Sequence, residues 1–446
     1  MQMKAIFVLA ATLLCAACSK PQFPGEDQYG ASPRLPEPTQ FLFPPMGIAK
    51  PVGFKANETP TVLAGFTIRA FARDLNAPRR VLPLPNGDVL VVESGGPGIE
   101  PVLRPKNIIY RYVIGAAHSP VKAGNRVILL RDSDGDGVAD QKIVLIDKLN
   151  SPFGIAFGNG QLYVGATDAV WRYPYAVGAN TAGPGTMLTA LPGGPIDHHW
   201  TKDLTLSPDG KKLYVGVGSN SNITESGLEA EHNRAAILEV DPINGASRLF
   251  ASGLRNPNGL TFAPGTNTLF AVINERDEIG NNLVPDYITS VKDGGFYGWP
   301  WSYYGQHLDV RVHPQRPDMV AKAISPDFAL GPHVAALGLT FVTGSIMPAQ
   351  FQAGAFVSEH GSWDRTVFYG YQVVFVPFAD GQPTGKPLPF VTGFIDQATG
   401  NARGRPVGVA MDRNGALLVA DDVGHAIWRV STTAPKSAGV DPIPSR

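Results

Sequence analysis

The chain has 446 residues, 43% of them hydrophobic, with 50 glycines, 40 prolines and a formal net charge of -1. That balance gives a nucleic-acid partner no electrostatic footing, and so much glycine and proline favours short strands and tight turns over long helices. Both cysteines, Cys15 and Cys18, lie near the N-terminus, so the body of the chain has no disulfide and no thiolate metal site.

Lys4 precedes an apolar stretch, Ala5 to Leu14, that is too short to span a bilayer. Small residues then lead to Cys18, a pattern that resembles a bacterial lipoprotein signal, although Cys15 stands where such signals usually carry leucine. The sequence therefore predicts a signal over residues 1–18, a lipid on Cys18 and a location on the periplasmic side of a bacterial membrane; an ordinary secretory signal is the alternative. A lipid there tethers a domain without embedding it. Residues 19–52 are rich in proline and poor in periodic pattern, which predicts an extended tether.

A repeat follows. Its unit is an apolar alternation, a turn containing Asn, Asp or Gly, and a β-branched run. The copies are Arg80 to Val92, Gly154 to Val164, Leu204 to Val217, Gly259 to Val272, Gly338 to Val357 with an insertion, and Gly408 to Ala420. Further strands are expected at Ile108 to Tyr112, Ala169 to Tyr173, Ile237 to Val240, Val373 to Val376 and Ala426 to Val430. A short hairpin sheet cannot bury both faces alone, but sheets stacked around an axis can. The prediction is an all-β chain, a six-bladed β-propeller over residues 53–434, with a tail at 435–446.

Within the first unit, Asp132, Asp134 and Asp136 alternate with small residues, and Asp140 follows. That spacing fits a calcium loop of hard oxygen ligands. A solvated acidic turn is the competing reading.

In a propeller the loop entering each first strand and the loop leaving its partner open on the same face. The entry positions hold Arg79, Arg80, Asn150, His198, His199, Arg255, Asn256, His333, Arg403 and Arg405. The exit positions hold Glu93, Asp168, Asn220, Asn222, Asn274 to Asp277, Glu359, His360, Trp363, Arg365, Asp421 and Asp422. Several arginines around one cavity call for an anionic ligand, since unpaired buried cations are costly, and guanidinium favours planar carboxylates or phosphates. Imidazole beside them can take a proton near neutral pH. The mouth reads as a cup for a small planar anion next to a general base.

The run from His198-His199 through Gly218 to Asn222, the stretch Leu254 to Leu260, Asn274-Glu275 and Gly294 to Pro300 resemble the PQQ-dependent soluble sugar dehydrogenases. The likeness leans to their L-sorbosone and pyranose dehydrogenase branch and covers roughly Gly53 to Val430. It implies pyrroloquinoline quinone (PQQ), a planar tricarboxylate, held with calcium over the mouth. It implies His199 as the base that takes the proton of a sugar hydroxyl. By the same resemblance Asn222, Arg255, Asn256, Arg403, Arg405 and Asp421 belong to the cofactor site, with Arg79 and His333 at its rim. His360 and Arg365 occupy the loop where glucose-type members carry a lysine. Ser221 stands where the family has arginine, and the stacking tryptophan has no direct counterpart, so glucose specificity is not implied. Electrons are expected to pass from sugar to an external quinone or cytochrome, because the chain has no Cys-x-x-Cys-His haem motif. A calcium-dependent lactonase and a non-catalytic binding propeller are the alternatives. The aromatic run Trp299 to Tyr304 reads as packing between units, Arg311, His313 and Arg316 as a solvated lid, and Asp309 as surface.

Overall fold

The computed structural model describes residues 25–41, 46–97, 108, 112, 115–117, 121–194, 198–344 and 346–433. The expected signal at 1–18 and the tail at 435–446 lie outside them. The all-β expectation holds: regular structure is nearly all strand, and no described helix is long and apolar enough to cross a membrane.

Six sheets of four or more strands follow one another along the chain. The first joins Pro78–Pro83, Val89–Glu93, Arg126–Arg131 and Gln141–Ile146. The second joins Gly154–Gly158, Gln161–Gly165, Ala169–Pro174 and Thr186–Ala190. Leu204–Leu206, Leu213–Val217, Ala236–Val240 and Ser247–Ser252 form the third. The fourth contains Pro257–Phe262, Leu269–Ile273, Pro285–Ser290 and Phe328–Pro332. In the fifth lie Ala336–Phe341, Gly354–Glu359, Gln372–Ala379 and Leu388–Thr392. The sixth has Pro406–Met411, Leu417–Asp421 and Ala426–Thr432, and takes its outer strand, Phe66–Ala72, from the other end of the chain. One expected strand is displaced. Ile108 and Tyr112 are helical and exposed, and Arg126–Arg131 is the strand that pairs with Val89–Glu93.

Why the middle strands read as unbroken apolar runs is clear from their packing. Successive side chains of a strand point to opposite faces. Leu90 and Val92 pack toward Leu162 and Val164 of the second sheet. Val89 and Val91, on the other face, pack toward Leu418 and Ala420 of the sixth. Apolar layers likewise fill the second-third, third-fourth, fourth-fifth and fifth-sixth spaces. Every sheet is thus covered on both faces by its neighbours.

The first strands of the sheets touch in sequence, and Pro406–Met411 returns to touch Pro78–Pro83. All six line one cavity of about 350 Å³, to which they contribute Leu82, Phe157, Leu206, Thr261, Thr340 and Ala410. Glycine is what lets these strands approach. A Cβ on Gly154 would lie 2.5 Å from the Lys202 carbonyl oxygen, and one on Gly259 would lie 2.7 Å from Leu339 N. Gly338 and Gly408 stand in the same way against the Val407 and Arg79 carbonyls. At the two remaining equivalent positions the chain places Arg80 and Asp203, whose Nε and Oδ1 lie 3.3 Å apart. Leu260 ties this pair to the fourth sheet: its amide donates to Asp203 Oδ2 at 2.9 Å, and its carbonyl accepts from Arg80 at 3.4 Å. The ion pair lies on the entry side of the cavity.

The chain before the first sheet runs along the outside. Tyr29–Gly30 pairs with the outer strand of the fourth sheet, Thr61–Val62 with that of the fifth, and Lys50–Pro51 runs parallel to Asn401–Ala402.

The close approach at Gly154 generates a prediction. Gly154→Ala should lower the free energy of unfolding by about 1–3 kcal/mol, the usual cost of overpacking, read as a lower denaturant midpoint. An unchanged midpoint would mean that the strands are not in such close contact.

Candidate active site

In each hairpin the start of the first strand lies beside the end of the second, so entry and exit loops meet at one end. In the third sheet this puts His199 beside Ser219, with Nδ1 2.9 Å from the Ser219 carbonyl and 3.0 Å from its hydroxyl. The Ser219 hydroxyl donates its own hydrogen to the Ser221 carbonyl at 2.6 Å. Nδ1 must therefore be the protonated nitrogen, and Nε2 carries the lone pair. Desolvation holds the imidazole well below its ordinary pKa, and the positive fields of Arg255 and His198 push the same way. The result is a neutral imidazole at pH 7, with its basic nitrogen turned away from the backbone that orients it.

Beside it lies a buried network. Arg255 donates to Asn222 Oδ1 at 2.9 Å and to the Glu275 carbonyl at 2.5 Å, and its guanidinium is 3.3 Å from Asp277 Oδ2. Asn222 Oδ1 also accepts the Asp277 amide at 2.9 Å. Trp299 adds its indole N–H to the Asn222 carbonyl at 3.0 Å. Asn256 links Thr201 to Asn274, at 3.4 and 3.3 Å. The third and fourth sheets are thus locked together below the loop that carries Asn222.

On the opposite side the exit loop of the sixth sheet presents Asp422. Its Oδ2 lies 2.9 Å from Arg79 Nη1 and 3.1 Å from His360 Nε2. Burial pushes the carboxyl up, but Arg79 and His360 outweigh it and hold it well below the usual range. His360 is lowered, chiefly by burial. Arg405 adds its field to the same carboxylate. The Arg405 Nε is buried without a hydrogen-bond partner among the described residues, and the guanidinium stacks 5.5 Å from the Tyr371 ring. Arg79 sits 5.7 Å from the ring of Trp200. Burial pushes the Asp421 carboxyl up to about 7, so near neutral pH it is only part-ionised. Two guanidinium groups therefore face one firmly ionised carboxylate, and the rim carries surplus positive charge.

The family model described as TrAA12-like matches residues 120–290 and 313–433. The chain belongs to the TrAA12-like family. It is 25% identical over 356 residues to the PQQ-dependent pyranose dehydrogenase of Coprinopsis cinerea, which covers 66% of this chain but only 48% of that one. It is 21% identical over 434 residues to the PQQ-dependent sugar dehydrogenase of Hypocrea jecorina, covering 85% and 91% of the two chains. Among solved structures, the PQQ domain of the Coprinopsis cinerea pyranose dehydrogenase in its holo form superposes with a TM-score of 0.67 at 21% identity, over 86% of this chain and all (100%) of that one. The calcium structure of the Trichoderma reesei family AA12 enzyme gives 0.67 at 20% identity, over 87% and 99%. These structural likenesses establish a shared fold.

In this TrAA12-like chain the residues singled out by sequence separate into groups. Arg79, His360 and Arg405 meet at Asp422, while Asn222, Arg255, Asn256 and His333 gather around Asp277 and Asn274. Asp421 is turned under its loop, where it accepts the Arg405 and Gly424 amides at 2.8 and 2.7 Å and the Trp428 indole at 2.9 Å. Arg365 points elsewhere: it stacks 4.5 Å from the Tyr369 ring and donates to Pro332 O and Asn282 Oδ1, both at 3.4 Å. Arg403 donates its amide to Phe394 O, and its charge is felt by the half-buried Asp396. Asp309 is not surface, as expected, but 3% exposed, bonded to the fully buried Arg276 at 3.0 Å and to Arg311 at 2.7 Å. Arg311 is thereby pinned rather than free in a lid. The Trp299 to Tyr304 run does pack inward, with Trp299, Tyr303 and Tyr304 buried.

The acidic loop of the first sheet lies at the end remote from Arg79. Asp132, Asp134 and Asp136 bring carboxylate oxygens within 4.8 Å of one another. Asp140 stands apart from that group and accepts the Ser133 amide at 2.6 Å. Sequence reasoning gave Asp422, Asp277 and Asp364 no role, although the first two were visible as exit positions of the repeat.

Another exit residue, Glu359, is buried, accepts from Gln372 at 2.8 Å, and faces Asp286. Burial pushes its carboxyl up to about 8. In an unfolded chain it ionises near ~4.3, so its contribution to folding is lost progressively as pH rises between those values. Glu359→Gln should therefore melt higher relative to the parent at pH 8 than at pH 5. A difference that does not change with pH would show that Glu359 is ionised in the fold.

Proposed function

We propose that this TrAA12-like chain is a PQQ- and calcium-dependent sugar dehydrogenase. It would oxidise the C1 hydroxyl or aldehyde of an aldose, ketoaldehyde or related sugar and pass electrons to an external quinone or cytochrome. We read its six sheets as the blades of a six-bladed propeller, with the mouth at the entry ends. The lipid anchor at Cys18 and a periplasmic location belong to the same reading.

The observation that carries the proposal is the surplus of positive charge around Asp422, across the mouth from a neutral His199. The residues fit the cofactor. Arg79 and Arg405 are placed to hold carboxylates of a planar tricarboxylate, and the unpartnered Arg405 Nε is a donor in want of an acceptor. His360 flanks them through Asp422. Two aromatic rings flank this group, Trp200 beside Arg79 and Tyr371 beside Arg405. Arg255 and Asn256 spend their donors within the protein, so their part is to position the loop of Asn222. When bound, PQQ supplies the two-electron oxidant. His199 keeps its proton at Nδ1, which leaves Nε2 to accept the proton of the sugar hydroxyl. Calcium beside the cofactor would be held by backbone carbonyls of residues 223–231, and a second ion by Asp132, Asp134 and Asp136, with Asp140 shaping their loop.

Reconstitution tests this. Purified chain with calcium and PQQ should reduce an artificial acceptor in the presence of some member of an aldose panel. His199→Ala should still bind PQQ, and its turnover should fall by roughly 10²–10⁴-fold, the usual worth of a positioned general base. Failure of every sugar would end the dehydrogenase reading, and an unchanged rate would remove His199 from its role.

A further inference from the structure

Three loops from the fourth and fifth sheets converge outside the Asp422 group. Asp277 follows strand Leu269–Ile273, His333 follows Phe328–Pro332, and Asp364 follows Gly354–Glu359. One ligating atom from each lies within 4.8 Å of the other two.

Their hydrogen bonding leaves one buried oxygen, on Asp364, without a partner among the described residues. His333 Nε2 is 3.1 Å from the Gly280 carbonyl, a contact that only an N–H can make. In the neutral ring Nδ1 then presents a lone pair to Asp277 Oδ1, 3.1 Å away. Two lone pairs do not face each other at that distance: either a second proton lies between them, since Asp277 and Asp364 outweigh the burial that opposes it, or a metal cation takes that place. Asp364 is 1% exposed; its Oδ2 accepts the Glu278 amide at 2.7 Å, and its Oδ1 is buried with no partner among the described residues. Arg255 lies 3.3 Å from Asp277 Oδ2, the oxygen turned away from His333, and Arg311 donates to the Asp277 carbonyl at 3.1 Å. Asp277 thus keeps Oδ1 for the third direction.

We propose that Asp277, His333 and Asp364 form a binding site for a divalent transition-metal cation of the zinc class, which clamps these three loops together. The donor set chooses the metal. One imidazole with two carboxylates suits zinc, manganese or cobalt, whereas calcium takes six to eight oxygens. The Nε2–H bond to Gly280 is the outer contact that fixes the ring of a metal-bound histidine. The site is separate from the acidic loop of the first sheet, and its occupancy does not depend on the cofactor reading.

The test uses the full chain, stripped with a chelator, dialysed and titrated with Co²⁺ and then Zn²⁺. The parent should retain about one equivalent of Zn²⁺ after dialysis, and its Co²⁺ form should show visible bands of nitrogen-and-oxygen ligation. Asp364→Asn and His333→Gln should each lose that equivalent, whereas Asp132→Asn should keep it. Circular dichroism of the variants checks that they fold. If they do not, anomalous diffraction from zinc-soaked parent crystals decides by locating the ion. A parent that retains no metal, variants that retain it, or an ion found elsewhere would overturn the proposal and leave His333 as a buried imidazolium between Asp277 and Gly280. Because the readout is bound metal, failure here leaves sugar oxidation untouched.

Discussion

Where one first strand meets the next, a glycine on one faces the backbone of its neighbour with no space for a side chain. Gly154 meets Lys202, Gly259 meets Leu339, Gly338 meets Val407 and Gly408 meets Arg79. This contact sets the spacing of the sheets, and the spacing fixes where the entry loops begin. Lys202 and Arg79 are themselves entry residues, so the same contacts that pack the strands also hold the loops bearing His199 and the Asp422 partner. Arg80 and Asp203 take the glycine position twice, in strands separated by a third. Buried as they are, they are compensated by each other and by backbone groups, chiefly the amide and carbonyl of Leu260. Removing either one strands the other charge, which is far costlier than losing a surface pair.

From that frame the electrostatics of the mouth follow. Loops of six sheets arrive at one end, and their polar side chains must be satisfied there or lower down. Most are satisfied lower down. Arg276 is wholly enclosed by Glu275, Asp309 and two carbonyls, and Arg255 by Asn222, Asp277 and Glu275. Arg79 and Arg405 differ, because both act on Asp422 and, among the described residues, neither guanidinium makes an ion pair with a second carboxylate. A water-filled rim could bear that imbalance, but the burial of Arg405 Nε argues for a ligand that brings its own negative charge.

The repeat made much of this legible in the sequence. Strands recognised by their β-branched runs, such as Leu213 to Val217 and Leu417 to Ala420, are those buried on both faces, where packing leaves few other residue choices. The strand expected at Ile108 to Tyr112 failed because an apolar, aromatic run carries the same local preference whether or not it has a partner; the pairing went to Arg126–Arg131. The outer strand of the sixth sheet, Phe66–Ala72, was missed because it belongs to no repeat copy and pairs across nearly the whole chain. At the mouth, sequence placed residues at the correct end of the sheets but not in their orientation. Adjacent residues can turn opposite ways, as Asp421 and Asp422 do. Asp364 carried no pattern, since its neighbours come from loops more than thirty residues away.

The claim that surplus guanidinium charge gathers a planar polyanion is tested most directly by binding alone. Titration of PQQ into the calcium-loaded chain, followed by absorbance or tryptophan quenching, should show saturable binding. Arg405→Ala and Arg79→Ala should each weaken it about tenfold or more, as loss of a charge-assisted pair costs about 1.5–3 kcal/mol, whereas Arg403→Ala should leave it nearly unchanged. Absence of binding, or equal losses for all three substitutions, would contradict the account.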